Sequence, residues 1–288
     1  MPKAALILSI VLVTLVAACV QLPWNTSSVT SATGETAMEN PDLSINVSAF
    51  PTEVKGGRNI SVTWNIQNNQ LIGLKDVNVE VYDQCLFSGE SKKHFDELRP
   101  NGMQIWMWSW SSQTTQFERD CEVKFKVTWN STAFVTQDIN VLSETEFYTR
   151  EQAGTLSDLA GSMTSTTNPI TISLDFSEQP PWLNGSTVYM NMGIADTGGG
   201  FISKLPNNSI NITVPNDTGT VVCDEYRTVV PNLLVLNRDI NFANKEATPL
   251  SCTLEIFTNN ILSTGTLGVT TNYKYELDDS FTVKIKVK

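Results

Sequence analysis

Ile60-Ser61-Val62-Thr63-Trp64-Asn65-Ile66 carries a large apolar side chain at every second position and a small polar one between. A period of two is the pattern of an extended strand with one face buried and one face wet. The same alternation recurs on either side. Val77, Val79 and Val81 form one run, and Cys121, Val123, Phe125, Val127 and Trp129 form another. Gly56-Gly57, Asn68-Asn69, Pro100-Asn101-Gly102 and Asn130-Ser131 fall between or after the runs and read as turns. Six or seven short strands within about 100 residues predict an immunoglobulin-like β-sandwich.

The second part of the chain follows the same logic. Ile172, Leu174 and Phe176 alternate, as do Val188, Met190, Met192 and Ile194, and then Cys252, Leu254 and Ile256. Tyr273, Tyr275 and Leu277, the run Asp278-Asp279-Ser280, and Phe281, Val283, Ile285 and Val287 read as a closing hairpin. Asn40-Pro41 and Asn168-Pro169 open two stretches that share an order of strand, proline, glycine, strand and paired cysteines. Their offset is 128 residues, which marks a repeat of whole domains. The expectation is an all-β chain with two tandem immunoglobulin-like sandwiches, over residues 41–143 and 168–288. Between them, Ser143-Glu144-Thr145-Glu146 has the form of a capping box, and Phe147 to Gln152 suit a short helix. With the Ser/Thr-rich stretch Gly161 to Thr167, this makes residues 144–167 a linker of limited bending.

The N-terminus sets the compartment. Lys3 precedes an apolar and small run from Ala4 to Ala18, which is short for a bilayer span of about 20 residues. Val16-Ala17-Ala18-Cys19 resembles the lipobox of prokaryotic lipoproteins, which implies a signal peptide over residues 1–19 and lipidation at Cys19. An uncleaved signal anchor and plain secretion are the competing readings, and all three place the rest of the chain outside the cytoplasm. Residues 20–40, rich in Ser, Thr and Asn, read as a flexible tether. The other four cysteines fall as one pair in each half, which favours Cys85–Cys121 and Cys223–Cys252. Asn-x-Ser/Thr sequons stand at Asn25, Asn46, Asn59, Asn130, Asn184, Asn207, Asn211 and Asn216, as glycosylation sites if the host glycosylates.

Two corners carry a further resemblance: Trp64-Asn-Ile-Gln-Asn-Asn with its following glycine, and Ile194-Ala-Asp-Thr-Gly-Gly-Gly. Both look like the turn of adhesion-related sandwich domains of archaeal and bacterial surface proteins, the CARDB and S-layer-associated class. The lipobox followed by Val-Gln and the closing Tyr-x-Tyr-x-Leu run are similar to archaeal surface lipoproteins. That resemblance covers residues 40–288 and implies adhesion, envelope structure or spacing, with no catalytic residues to carry over.

Composition narrows function by exclusion. A formal charge of −11 would repel a phosphate backbone, which argues against nucleic acid. A mean hydropathy of −0.11 excludes a polytopic membrane protein. His94 is the only histidine, so any Ser-His-Asp arrangement would depend on it, and it lies in a charged stretch that reads as solvated surface. No CxxC or EF-hand spacing occurs, so neither a metal nor a cofactor is expected. Adjacent carboxylates such as Asp224-Glu225 and Asp278-Asp279 would point to opposite faces of a strand, unlike the pair a glycosidase needs. No catalytic residue is assigned, and the expected partners are a membrane, through the anchor, and an envelope protein or glycan.

Ile105-Trp106-Met107-Trp108-Ser109-Trp110 sets Trp106, Trp108 and Trp110 on one strand face. They form either an exposed aromatic platform for a sugar or protein, or the core face of the strand. The inward reading is preferred, because a sandwich must bury one face of every strand.

Overall fold

In the computed structural model, which describes residues 35–39, 43–166, 169–224, 226–230 and 232–287, the alternating runs become strands. The first half holds β1 Glu35–Glu39, β2 Leu43–Phe50, β3 Glu53–Lys55, β4 Asn59–Asn68 and β5 Leu74–Asp83. It continues with β6 Phe87–Ser88, β7 Lys92–Leu98, β8 Met103–Ser112 and β9 Arg119–Leu142. The second half holds β10 Met163–Ser165, β11 Ile170–Phe176, β12 Trp182–Leu183, β13 Thr187–Asp196, β14 Lys204–Leu205 and β15 Ile210–Thr213. After these come β16 Gly219–Cys223, β17 Tyr226–Val230, β18 Leu233–Leu236, β19 Ile240–Ala243, β20 Glu246–Ala247, β21 Leu250–Ile256 and β22 Leu262–Lys286. The chain is all-β apart from one helix, Glu144–Ala153, and one 3-10 turn, Leu156–Leu159, among the described residues. The helix starts where the capping box predicts. Ser143 Oγ accepts the Glu146 N–H, and Gly154 ends the helix in the left-handed region at φ 69°.

Three sheets account for the strands. One runs β1-β2-β4-β8-β6 and another β14-β19-β20-β13-β21-β16, with β11 beside β13. The third runs β17-β18-β15-β22-β9-β5-β7 and takes β10 and β12 on β9 and β3 on β22. Its spine is the antiparallel pair β9–β22, in register from Arg119↔Ile285 to Leu142↔Leu262.

This pairing overturns two expected turns and ties the two halves together across residue 143. The Asn130-Ser131 run and the Asp278-Asp279-Ser280 run do not turn. Both stay inside continuous strands of 24 and 25 residues. The second part of β22, expected in the second domain, pairs with the first part of β9 and completes the sheet of the first half. Reciprocally, the second part of β9 completes the sheet of the second half. The physical reason is visible in the phase. Odd-numbered residues stay buried from Cys121 to Val141 in β9 and from Leu267 to Ile285 in β22, with Asp279 alone half-buried. A strand that finds a matched partner along its whole length gains a ladder of hydrogen bonds that a hairpin would forgo. The two smaller sheets therefore lie side by side over one face of the long sheet, and the buried apolar residues form one continuous core.

Two smaller expectations also change. Glu35–Glu39, placed in the tether, pair with β2. Met163–Ser165, placed in the linker, add to the edge of β9. The offset of 128 residues, in contrast, maps β4 onto β13, Asn59–Asn68 onto Thr187–Asp196. In both halves a short strand after a proline then pairs in parallel with the end of a long strand, β3 with β22 and β12 with β9.

Asp278 and Asp279 show how a turn-like sequence survives in a strand. Asp278 faces out and stands opposite Lys126, a favourable cross-strand pair. Asp279 takes an inward position between Leu277 and Phe281, and burial raises its carboxyl above the ordinary aspartate range against the pull of the Ser280 N–H. With the folded pKa above the unfolded one, protonation favours the fold. That contribution is complete below the unfolded pKa and is lost as pH rises through the folded one. Asp279→Asn is thus expected to raise the melting temperature at pH 7 and to leave it unchanged in acid. An equal shift at both pH values would contradict the assignment.

Candidate functional site

The tryptophan strand is the feature on which the functional alternatives divide. β8 lies beside β4, with Trp106 opposite Trp64, Trp108 opposite Val62 and Trp110 opposite Ile60. Trp108 and Trp110 are 2% and 0% exposed, so the tryptophan face is the core face. Trp64 organises it. Its ring stacks on Trp106 at 5.7 Å and meets Trp108 and Phe125 edge-on at 5.2 and 4.9 Å. Trp110 stacks on Phe281, which belongs to the shared part of β22, and donates its Nε1–H to the Glu90 carbonyl. The exposed platform of three rings is therefore corrected. Trp106 alone is half-buried, against Phe95 of β7 at a ring distance of 5.3 Å.

The opposite face of β8 is the one that meets solvent, and it is apolar. Met103, Ile105 and Met107 are 52%, 60% and 65% exposed. Their neighbours across β4 are Gln67, Asn65 and Thr63, so an apolar row runs along a polar sheet. β8 is also nearly an edge. β6 covers it only at Ser111 and Ser112, and β7 ends the long sheet on the same side. A cleft of about 620 Å3 opens there, lined by residues 94–99 of the β7 region and by Gly102, Met103 and Gln104.

The two corners singled out in the sequence have matching geometry. Asn68 and Asp196 sit at the ends of β4 and β13, both buried. Asn68 Oδ1 accepts the Gln70 N–H, and Asp196 Oδ1 accepts the Gly198 N–H, the same two-residue side-chain turn in each repeat. Asp196 Oδ1 also accepts the Tyr275 hydroxyl at 2.7 Å, which ties the second-half corner to β22. Gly198 must be glycine here, since a Cβ would meet the Tyr275 Oη at 2.2 Å. These residues hold corners.

His94 lies on β7 with its Nδ1 2.9 Å from Asn78 Oδ1 and its Nε2 3.1 Å from Asp96 Oδ1. It is half exposed and meets no serine or cysteine nucleophile among these contacts. Among the described residues no three of His, Cys, Asp and Glu gather as a metal site would need. No described helix is long and apolar enough to cross a membrane. Cys85 is bonded to Cys121 and Cys223 to Cys252, with Cα separations of 5.7 and 4.3 Å. Asn46, Asn59, Asn130, Asn184, Asn207 and Asn216 are exposed and Asn211 is half-buried. Cys19 and Asn25 lie outside the described residues.

What sequence reasoning missed is the open double edge of β7 and β8. The apolar content of Ile105 and Met107 was legible, but strand order was not, because which strand ends a sheet depends on distant pairing.

No family model matches the chain, and no curated protein matches it. Solved structures with partial likeness include a protein of unknown function from Porphyromonas gingivalis W83, 12% identical over 73% of this chain and 83% of that one, with a TM-score of 0.20. The secreted serine protease VesC from Vibrio cholerae is 9% identical over 76% of this chain and 47% of that one, with a TM-score of 0.20. The collagen adhesin CNA from S. aureus is 7% identical over 87% of this chain and 92% of that one, with a TM-score of 0.24. At these scores none of them bears on function.

Proposed function

We propose that the chain is an exported surface protein with a structural or adhesive role and no catalytic one, anchored at the outer face of a membrane through Cys19. The observation that supports this most is the exchange between β9 and β22, with one disulfide in each half. It joins two sandwich repeats through a shared sheet, which suits a rigid spacer better than a hinged enzyme cleft. Disulfides suit an oxidising compartment outside the cytoplasm, in keeping with the run Ala4 to Ala18 and Val16-Ala17-Ala18-Cys19.

A second reading, a binding module for a protein partner, draws on the exposed row of Met103, Ile105 and Met107 in place of the buried tryptophans. A glycan-binding form has less support, since sugar platforms use exposed aromatic rings.

Intact-mass measurement on natively expressed protein tests the anchor. Loss of residues 1–18 and added lipid mass on Cys19 is expected, and Cys19→Ser should move the protein from the membrane fraction to the medium. A retained N-terminus, or a cut elsewhere with unmodified Cys19, would exclude the lipid anchor. The surface role is tested by a pull-down from the native envelope with the intact anchored protein. Recovery only of cytoplasmic proteins would count against it.

A further inference from the structure

We infer that β7 and β8 form a pairing surface for a second copy of this chain, related to the first by a two-fold axis. Edge strands of soluble proteins are normally blunted by charge, proline or cover, because their unpaired N–H and C=O groups recruit further strands. β8 has none of these defences from Met103 to Trp108, before Gly89 and Glu90 come to lie against Ser109 and Trp110. Its sequence Met-Gln-Ile-Trp-Met-Trp-Ser-Trp-Ser-Ser has no charge and no proline, and β6 shields only its last two residues. In a chain of charge −11, this is a stretch where a second copy can approach without like-charge repulsion.

The residues also match themselves. An antiparallel pairing centred on Trp106 sets Ile105 of one copy opposite Met107 of the other, twice, on the outer face. That covers side chains now 60% and 65% exposed. The second layer obeys the same centre. Phe95 of β7 meets Trp106 at 5.3 Å, so an axis at the height of Trp106 passes the height of Phe95. Around Phe95 the strand reads Lys92-Lys93-His94-Phe95-Asp96-Glu97, basic before and acidic after. A two-fold axis there brings Lys93 of one copy to Glu97 of the other, and His94 to Asp96. Lys93 and Glu97 share the strand side of Phe95 and are exposed. The edge is thus self-complementary in shape and in charge, as an isologous interface requires. The cleft beside residues 102–104 leaves room for the incoming strand.

The test is light scattering on the full chain in mild detergent, with hydrogen exchange mapped in parallel. The wild-type polypeptide should run at twice the mass of its processed monomer, and amides 103–109 should gain protection with concentration. Ile105→Lys with Met107→Lys places lysine opposite lysine and should weaken association by about 100-fold. Val222→Lys, equally exposed but on β16, should leave the dimer intact. Lys93→Glu alone should also weaken it, and adding Glu97→Lys should restore it. That reversal keeps the test decisive should the lysine double variant lose its near-ultraviolet circular dichroism. A wild-type chain that stays monomeric at its highest soluble concentration would overturn the inference. So would a dimer indifferent to the edge substitutions, or protection that falls elsewhere.

Discussion

Ending the chain after Lys274 is expected to unfold the first half of the molecule, although every residue of that half is still present. The lost segment carries Tyr275, Leu277, Phe281, Val283 and Ile285, none more than 2% exposed. Five such side chains contribute roughly 10 kcal/mol of burial, at about 1.5–3 kcal/mol each. The whole stability of a typical domain is only about 5–15 kcal/mol. The lost strand is also the partner of β9 over residues 119–129 and of β3, whose Glu53 pairs with Lys286. Trp64 and Trp110 would lose the Phe281 ring that both touch. Five of the seven tryptophans, at 64, 106, 108, 110 and 129, lie in this half, so intrinsic fluorescence reports on it directly. The truncated chain should emit as a solvent-exposed tryptophan protein and be cut rapidly by protease between residues 43 and 142. A cooperative melt with native-like emission would show that the first half is an independent domain and that the shared strand is dispensable.

The alternation that identifies this chain as all-β is local, and local patterns were legible. β4, the capped helix at Ser143 and the corners at Asn68 and Asp196 all follow from residues within a few positions of each other. The exchange of strands was not legible, because Asn130-Ser131 and Asp278-Asp279-Ser280 carry turn residues whose behaviour is decided by a partner more than 100 residues away. Alternation fixes which side chains face the core but not which strand lies alongside. In β9 and β22 the inward phase runs through the expected turns, with Ser131 and Asp279 at inward positions. That unbroken phase was the available signal, and the polar residues on it masked it. The same limit applies to the candidate site. Alternation put all three tryptophans on one face of β8, while the contrast between buried Trp110 and half-buried Trp106 depends on β6 covering only one end of the strand.

That contrast gives the second large effect. Trp110→Ala and Trp108→Ala should each cost about 3–5 kcal/mol, the range for emptying a buried aromatic site. For a folded unit of this size, that is a fall in melting temperature of roughly 10 °C. Trp110 should be the worse of the two, since its loss also leaves the Glu90 carbonyl without its Nε1–H donor and strips the cover from Gly89. Trp106→Ala should cost less, because that ring is already partly open to solvent beside Phe95. On the other face, Ile105→Ala and Met107→Ala remove groups exposed in the single chain and, at concentrations where the chain is monomeric, should shift stability by no more than about 0.5 kcal/mol. Calorimetric melts of the five variants decide the matter by rank order. If Trp106, Trp108 and Trp110 were equally tolerant, the tryptophan face would be a surface after all. The sheet formed by β4 and β8 would then have to be turned over, which would bury Ile105 and Met107 and reverse the sensitivity of those two positions.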